Sequence, residues 1–178
     1  MKSTGVVVTE PNIGAPALPL HETFPAFYRR EYPKMVALAA AVSGNRAIAE
    51  DLAQEAMLRA HRHWSRVSTY ERPGAWVRRA TINLSLSATK RAAAELRRML
   101  RFAEPSTLPE PEAADDGVWQ AVAKLRGNQR AAIALHYLED RPIDEIAAIL
   151  QVSEATARVH LHRGRRALAA ALGNEEVS

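Results

Sequence analysis

The sequence predicts an all-α fold: two small helical domains joined by a flexible acidic linker, the C-terminal one containing a helix-turn-helix. Three observations lead there. Ala is abundant and aromatic residues make up only 6% of the chain, a composition that favours helices over sandwiches. Apolar residues recur at spacings of three and four, with no run of period-two alternation. Two basic blocks flank an acidic, Pro-rich segment, FAEPSTLPEPEAADD, which reads as a linker.

Residues 1–21 mix Pro, Ala, Gly and Leu and are expected to form a disordered tail. The first domain spans 22–101. Thr23 can cap a helix running through Phe24, Phe27, Tyr28, Met35, Leu38 and Val42. Ser43-Gly44-Asn45 is a turn, and Asn45 is expected to cap a helix reaching about Trp64. In that helix Ile48, Leu52, Ala56 and Ala60 form the expected buried stripe. The opposite face carries Asp51, Gln54, Glu55 and Leu58. An acidic patch with a projecting Leu would repel DNA and suits a protein partner. The ordinary alternative is a solvated face with a weak Glu55–Arg59 pair. A loop is expected over 65–72, and Pro73 restarts a helix to about Leu100. There Trp76, Ala80 and Leu84 point inward, while Arg79, Asn83, Lys90 and Arg97 form an outward row able to follow a phosphate backbone. The loop before it, Val67 to Arg72, offers hydroxyls, Tyr70 and a cation, the groups that hold an unstacked base.

The linker covers 102–116, the second domain 117–172, and residues 173–178 form a tail. Within the second domain Asp140 to Leu168 reads as two helices around a tight turn. Ile143, Ile146, Ala147 and Leu150 make one apolar stripe. Pro142 suits a first helical turn, Ser153 suits an N-cap, and Val152 can pack under the turn. In the second helix Ala157, Leu161, Gly164 and Leu168 face inward. Arg158, Val159, His162, Arg163 and Arg166 face elsewhere, mostly outward, as a helix in the major groove requires. A basic solvated helix pair is the plain alternative.

Charge and composition narrow the function. Residues 22–101 carry fifteen Lys/Arg against seven Asp/Glu, 102–123 five acids and no base, and 124–172 eight bases against five acids. Two basic blocks suggest two contacts with a polyanion. The absence of Cys excludes disulfides and thiol redox sensing within this chain. No run approaches the ~18 apolar residues of a membrane span, and Val6-Val7-Val8 is cut short by Glu10 and Pro11. A cytoplasmic protein without membrane insertion is expected. Each domain is small, so limited core burial is expected of both.

Three stretches then carry a resemblance: FPAFYRREYPKMVALAAAVSGNRAIAEDLAQEAMLRAHRHW, RPGAWVRRATINLSLSATKR, and LRGNQRAAIALHYLEDRPIDEIAAILQVSEATARVHLHRGRRAL. Over about residues 23–172 the chain resembles a bacterial RNA polymerase sigma factor of the extracytoplasmic-function (ECF) group. The AEDLAQEA segment is the specific part, and the helix-turn-helix is shared by many regulators. The resemblance implies a first domain that binds core RNA polymerase through Asp51, Gln54, Glu55, Leu58 and Arg59. It implies that Ser68, Thr69, Tyr70, Arg72, Arg79, Asn83, Lys90 and Arg91 recognise and open the minus-ten promoter element. It assigns the minus-thirty-five element to Glu154, Thr156, Arg158, Val159, His162 and Arg163, and places the linker in a channel of the polymerase. Two positions depart from the family pattern: Ser87 stands where Asp is common, and Gln151 where Gly is usual. If that turn needs a positive φ, Gln costs roughly 1 kcal/mol.

No enzyme is expected. There is no phosphate-binding Gly loop, no HExxH and no nucleophile with an evident base. His61/His63 and His160/His162 are two apart and diverge by about 200° on a helix, a poor metal pair. No cofactor and no metal are expected. The competing reading is a stand-alone regulator that binds operator DNA through the helix-turn-helix, as a dimer on two half-sites. No dimerisation helix is evident, which favours the sigma reading. An anti-sigma factor covering the surface around Leu58 is a further expected partner, beside core polymerase and promoter DNA.

Overall fold

Phe27, Met35, Leu38 and Val42 repeat at helical spacing along the first described helix of a computed structural model, which describes residues 22–102 and 117–173. That helix, α1 (Phe24–Ser43), begins at Thr23, whose extended backbone occupies the cap position without a side-chain capping bond. The Thr23 carbonyl accepts the first helical hydrogen bond, from Phe27 N–H at 3.0 Å. The helix stops at Gly44, whose φ of 69° lets its N–H return to Ala40, the αL ending that Gly adopts without strain.

Asn45 does not cap the next helix. Its Oδ1 accepts from Ala47 N–H at 2.9 Å, and α2 (Ala49–Arg62) starts later, with Ile48 at its cap. The buried stripe is accordingly Ala49, Ala53, Ala56, Met57 and Ala60. Ile48 and Leu52 are only half-buried, because α2 is wedged against both α1 and α4 and turns its small residues towards them. The expected loop after Trp64 is partly helical: α3 (Trp64–Val67) presses Trp64 against Phe24 and Phe27, ring centroids 5.3 and 4.8 Å apart. Pro73 opens α4 (Pro73–Phe102) as expected. Its inner face holds Val77, Ile82 and Leu84 but also Arg78, Thr81 and Ser85. The two hydroxyls are satisfied by the Val77 and Thr81 carbonyls, both at 2.9 Å, which makes their burial tolerable. Trp76 and Ala80 are half-buried against the core. Residues 90–101 are all exposed, so the last turns of α4 project beyond the body.

The second half comprises α5 (Gly117–Lys124), α6 (Gly127–Tyr137), α7 (Ile143–Leu150) and α8 (Glu154–Gly173). Pro142 occupies the cap of α7, one position before the helical turn expected for it. Gln151 has φ 54°, so the turn does need the left-handed region. Val152 N–H then reaches the Ala147 carbonyl at 3.0 Å, a Schellman-type closure. Ser153 Oγ accepts from Thr156 N–H at 3.1 Å, the expected cap of α8. Ala157, Leu161 and Gly164 are buried. A Cβ on Gly164 would sit 2.7 Å from Ile133 Cγ1, so α8 and α6 meet at a distance only Gly permits.

The two halves do not keep separate cores. One cluster joins Phe27, Met35, Leu38, Val77 and Ile82 to Leu135, Ile146 and Ile149, and a smaller one of Val122, Leu125, Ile133 and Leu161 serves the second half. Helix α1 lies against α5 and α6, and α4 against α7. Docking replaces the two marginal cores expected, because burial grows with size. The expected tail 1–21 and the linker from 103 onward lie outside the described residues. Of the expected C-terminal tail, Gly173 belongs to α8 and residues 174–178 also lie outside.

Substituting Gly164→Val should lower folding stability by about 1–3 kcal/mol through overpacking against Ile133. A fall in the denaturant midpoint at unchanged slope would show it; an unchanged midpoint would contradict the close approach.

Candidate functional site

The alanine stripe of α2 decides what its other face displays. Asp51, Gln54, Leu58 and Arg59 are exposed and Glu55 is half-buried, so the five expected residues share one surface. Leu58 is 49% exposed, a large apolar group with no fold-related reason to face water. Glu55 and Arg59 pair at 2.8 Å one turn apart, a contact worth a few tenths of a kcal/mol at such a surface. Gln54 Nε2 donates to Tyr32 Oη at 3.4 Å, and Tyr32 stacks on Tyr28 with planes 12° apart. The face therefore continues onto α1. The Tyr28/Tyr32 spacing of four was the available signal for that extension.

The expected minus-ten residues fall into two groups. Ser68 and Tyr70 are half-buried and Thr69 exposed in the turn after α3. Thr69 Oγ1 donates to the Arg66 carbonyl at 2.8 Å, so that hydroxyl also holds the turn together. Asn83, Lys90 and Arg91 are exposed along α4, and Arg79 is half-buried. Arg72 is exposed but engaged: its NH1 lies 3.4 Å from Glu145 Oε1 on α7.

On α8 the residues Glu154, Arg158, Val159, His162 and Arg163 are exposed, kept outward by the buried Ala157/Leu161/Gly164 stripe. Arg158 pairs with Glu154 at 2.7 Å. Thr156 is half-buried, its hydroxyl 2.9 Å from that of Ser153, which gives it a part in the helix cap. Arg166 is exposed as expected.

A cluster missed in the sequence lies between these surfaces. Arg78, with its side chain 3% exposed, is 2.8 Å from Glu31 Oε2 on α1 and paired with Glu139 in the α6–α7 turn. Its NH1 also donates to the Gly74 carbonyl at 2.9 Å. Glu139 lies 3.4 Å from Arg141, which pairs with Glu145 at 3.0 Å. Burial alone would raise the Glu31 pKa, but the hydrogen bond from Arg30 and the charge of Arg78 outweigh it and hold the carboxyl below its ordinary value. Burial opposes the charge of Arg141, yet Glu145 and Glu139 raise its pKa above normal. Two signals were present. Glu31 is in phase with Phe27 and Met35, and Arg78 with Thr81 and Ser85.

Among the described residues no group of three His, Cys, Asp or Glu could hold a metal ion, and no helix is long and apolar enough to cross a membrane. His61 packs on Phe24, ring centroids 4.6 Å apart.

The family model for Sigma-70 region 2 matches residues 27–95, and that for Sigma-70 region 4 matches residues 116–168. The ECF RNA polymerase sigma factor SigE of Mycolicibacterium smegmatis is 32% identical over 181 residues, covering 93% of this chain and 66% of its own length. SigW of Bacillus subtilis, also an ECF RNA polymerase sigma factor, is 26% identical over 151 residues, covering 76% and 81%. Among solved structures, the sigma factor RpoE in complex with the anti-sigma factor NepR from Bartonella quintana matches with TM-score 0.68 at 22% identity, over 84% of this chain and 96% of that one. CnrH, solved with the cytosolic domain of CnrY, matches with TM-score 0.58 at 21% identity, over 85% and 88%. At these identities the structural likeness is one of fold. With both sigma regions matched in order along one chain, and with ECF factors among its relatives, the chain belongs to the ECF group of Sigma-70-type RNA polymerase sigma factors.

Proposed function

We propose that this chain binds core RNA polymerase and directs it to promoters, where it opens DNA and starts transcription. The observation that carries the reading is one chain presenting two unlike surfaces. One is an acidic α2 face with Leu58 49% exposed, and the other a recognition-type helix with exposed Arg158, His162 and Arg163. The first suits a protein and the second the edges of bases.

In this reading residues 22–101 form the polymerase-binding and minus-ten unit. Asp51, Gln54, Glu55, Leu58 and Arg59 dock on the polymerase. Ser68, Thr69, Tyr70 and Arg72 hold an unstacked base, while Arg79, Asn83, Lys90 and Arg91 follow the backbone. Residues 117–172 read the minus-thirty-five element through Glu154, Thr156, Arg158, Val159, His162 and Arg163. Residues 102–116 connect the two. The protein works in the cytoplasm, beside the polymerase, as an initiation factor rather than an enzyme. Anti-sigma control is part of the proposal. It is supported by the exposed Leu58 and by the two fold relatives, one solved with an anti-sigma factor and the other with the cytosolic domain of CnrY. A stand-alone regulator would leave the α2 face without a role.

Transcription in vitro with core polymerase and a promoter library is the direct test. The protein should stimulate initiation on a subset of templates; failure on every template would end the assignment. Asp51→Arg should weaken core binding by about 30-fold or more, the size expected when a charge is lost from a paired interface, with helicity unchanged. Equal binding by the variant would remove α2 from the interface. Arg163→Ala should cost about 1–3 kcal/mol in promoter binding by the holoenzyme if Arg163 makes a bidentate base contact. A loss that is uniform across minus-thirty-five sequences would recast it as a phosphate contact.

A further inference from the structure

Beside the outward face of α8, one arginine is fixed in place by neutral groups. Arg165 Nε–H donates to Tyr137 Oη at 2.8 Å, and Arg165 Nη2 lies 2.9 Å from His136 Nε2. A guanidinium can only donate, so His136 Nε2 carries the lone pair and Nδ1 the proton, which faces the Arg141 carbonyl 3.4 Å away. The guanidinium carbon also sits 5.5 Å from the centre of the Tyr137 ring. That ring meets His136 edge-on, with centroids 4.8 Å apart.

Arg165 is exposed, yet it has no carboxylate partner among the described residues. Arg141 and Arg158, by contrast, pair with Glu145 and Glu154. The charge of Arg165 is therefore uncancelled. Its Nη1 and the second hydrogen of Nη2 stay open to an oxygen pair. Holding the side chain in advance removes much of the rotamer entropy that an arginine loses on binding.

A plain reading makes the trio a tie between α6 and α8. That tie already exists one residue earlier, where Gly164 lets α8 approach Ile133 so closely that a Cβ would lie 2.7 Å from Cγ1. Exposed hydrogen bonds to neutral groups add little to it. Nor does packing explain Tyr137, which is 59% exposed. Its ring is left in water and forms a platform under the guanidinium.

Position selects the anion. Arg165 falls about two turns beyond Arg158, on the same flank of α8. That flank lies between the buried Ala157/Leu161/Gly164 stripe and the exposed crest of Val159, His162 and Arg166. When such a crest enters a major groove, the flanks run beside the strands that bound it, within reach of phosphates rather than base edges. We propose that Arg165, with Tyr137 and His136 as positioning residues, is a preset clamp for one backbone phosphate that fixes how α8 sits on DNA. The proposal rests on the sigma reading for which DNA is held, and on the trio for the anion site.

Two probes separate these supports. One is the free full-length chain on a short random-sequence duplex at low salt, where phosphate contacts dominate. The other is the holoenzyme on a template that it transcribes. Arg165→Ala should weaken both by about 10-fold. It should also lower the slope of log affinity against log salt by about 0.9, the value for one phosphate. The holoenzyme's loss should be alike across minus-thirty-five sequences. His136→Ala and Tyr137→Phe keep the charge, so each should weaken binding about threefold at an unchanged slope. His136→Gln, whose amide oxygen can accept from Nη2, should restore the parent's affinity. An unchanged slope in Arg165→Ala would overturn the clamp, as would a loss confined to one minus-thirty-five sequence. Parent affinity in both His136→Ala and Tyr137→Phe would overturn the positioning roles. Helicity is measured for each variant; if Arg165→Ala does not fold, Arg165→Gln decides by the same slope. The sigma reading fails separately, if the parent chain never supports initiation with core polymerase while the slope change on the random duplex stands.

Discussion

A guanidinium buried between two carboxylates organises this molecule. Arg78 projects from α4 into the space where α1 and the α6–α7 turn meet, and each supplies one acid, Glu31 and Glu139. An unpaired charge at that depth would cost several kcal/mol, and in the docked chain the three segments sit close enough to satisfy it from both sides. The consequences run in both directions along the chain. The turn bearing Glu139 is set against α4, which places α7 where Glu145 can reach Arg72. The same contact fixes α6, against which α8 is packed through Gly164. The pair adds little net stability, since desolvation opposes it, but it specifies how the halves meet.

Around that point the packing relies on small residues. Helix α2 buries four alanines and a methionine, α8 approaches α6 through Gly164, and α6 approaches α4 through Gly127. Close helix approach on small side chains leaves the long ones for the outside. This is why both candidate faces consist of extended polar groups with one projecting aliphatic each, Leu58 on α2 and Val159 on α8, 49% and 43% exposed. The faces follow from the core: every side chain that would have been too large for the seam is free to meet a partner.

Much of this was legible beforehand. The all-α class, the helix-turn-helix stripe and the Ser153 cap follow from spacing and turn chemistry, which act over a few residues, while Gln151 was marked only by the family resemblance as a turn position that Gly usually holds. The five α2 residues proposed for the polymerase interface share one surface because i, i+3 and i+4 positions do so on any helix. What could not be read is contact between segments distant in sequence. Of the stripe expected on α2, Ala56 and Ala60 are buried, but Ala49, Ala53 and Met57 take the places of Ile48 and Leu52, because α2 is wedged between α1 and α4 and turns its small residues towards both. The docking of the halves was missed for the same reason. Glu139 and Arg78 are 61 residues apart, and no local pattern names a partner at that distance. The phase of Glu31 with Phe27 and Met35 hinted only that some buried cation must exist.

If the two halves grip separate promoter elements, the docking through Arg78 and Glu139 in the free chain must give way on the polymerase. Energy transfer between a label on α2 and one on α8, followed as core RNA polymerase is titrated into the full chain, tests this most directly. Transfer should be high at the start and fall with a stoichiometric endpoint, and the fall should vanish when Asp51→Arg removes core binding. Low transfer in the free chain, or high transfer that saturating polymerase leaves unchanged, would contradict it.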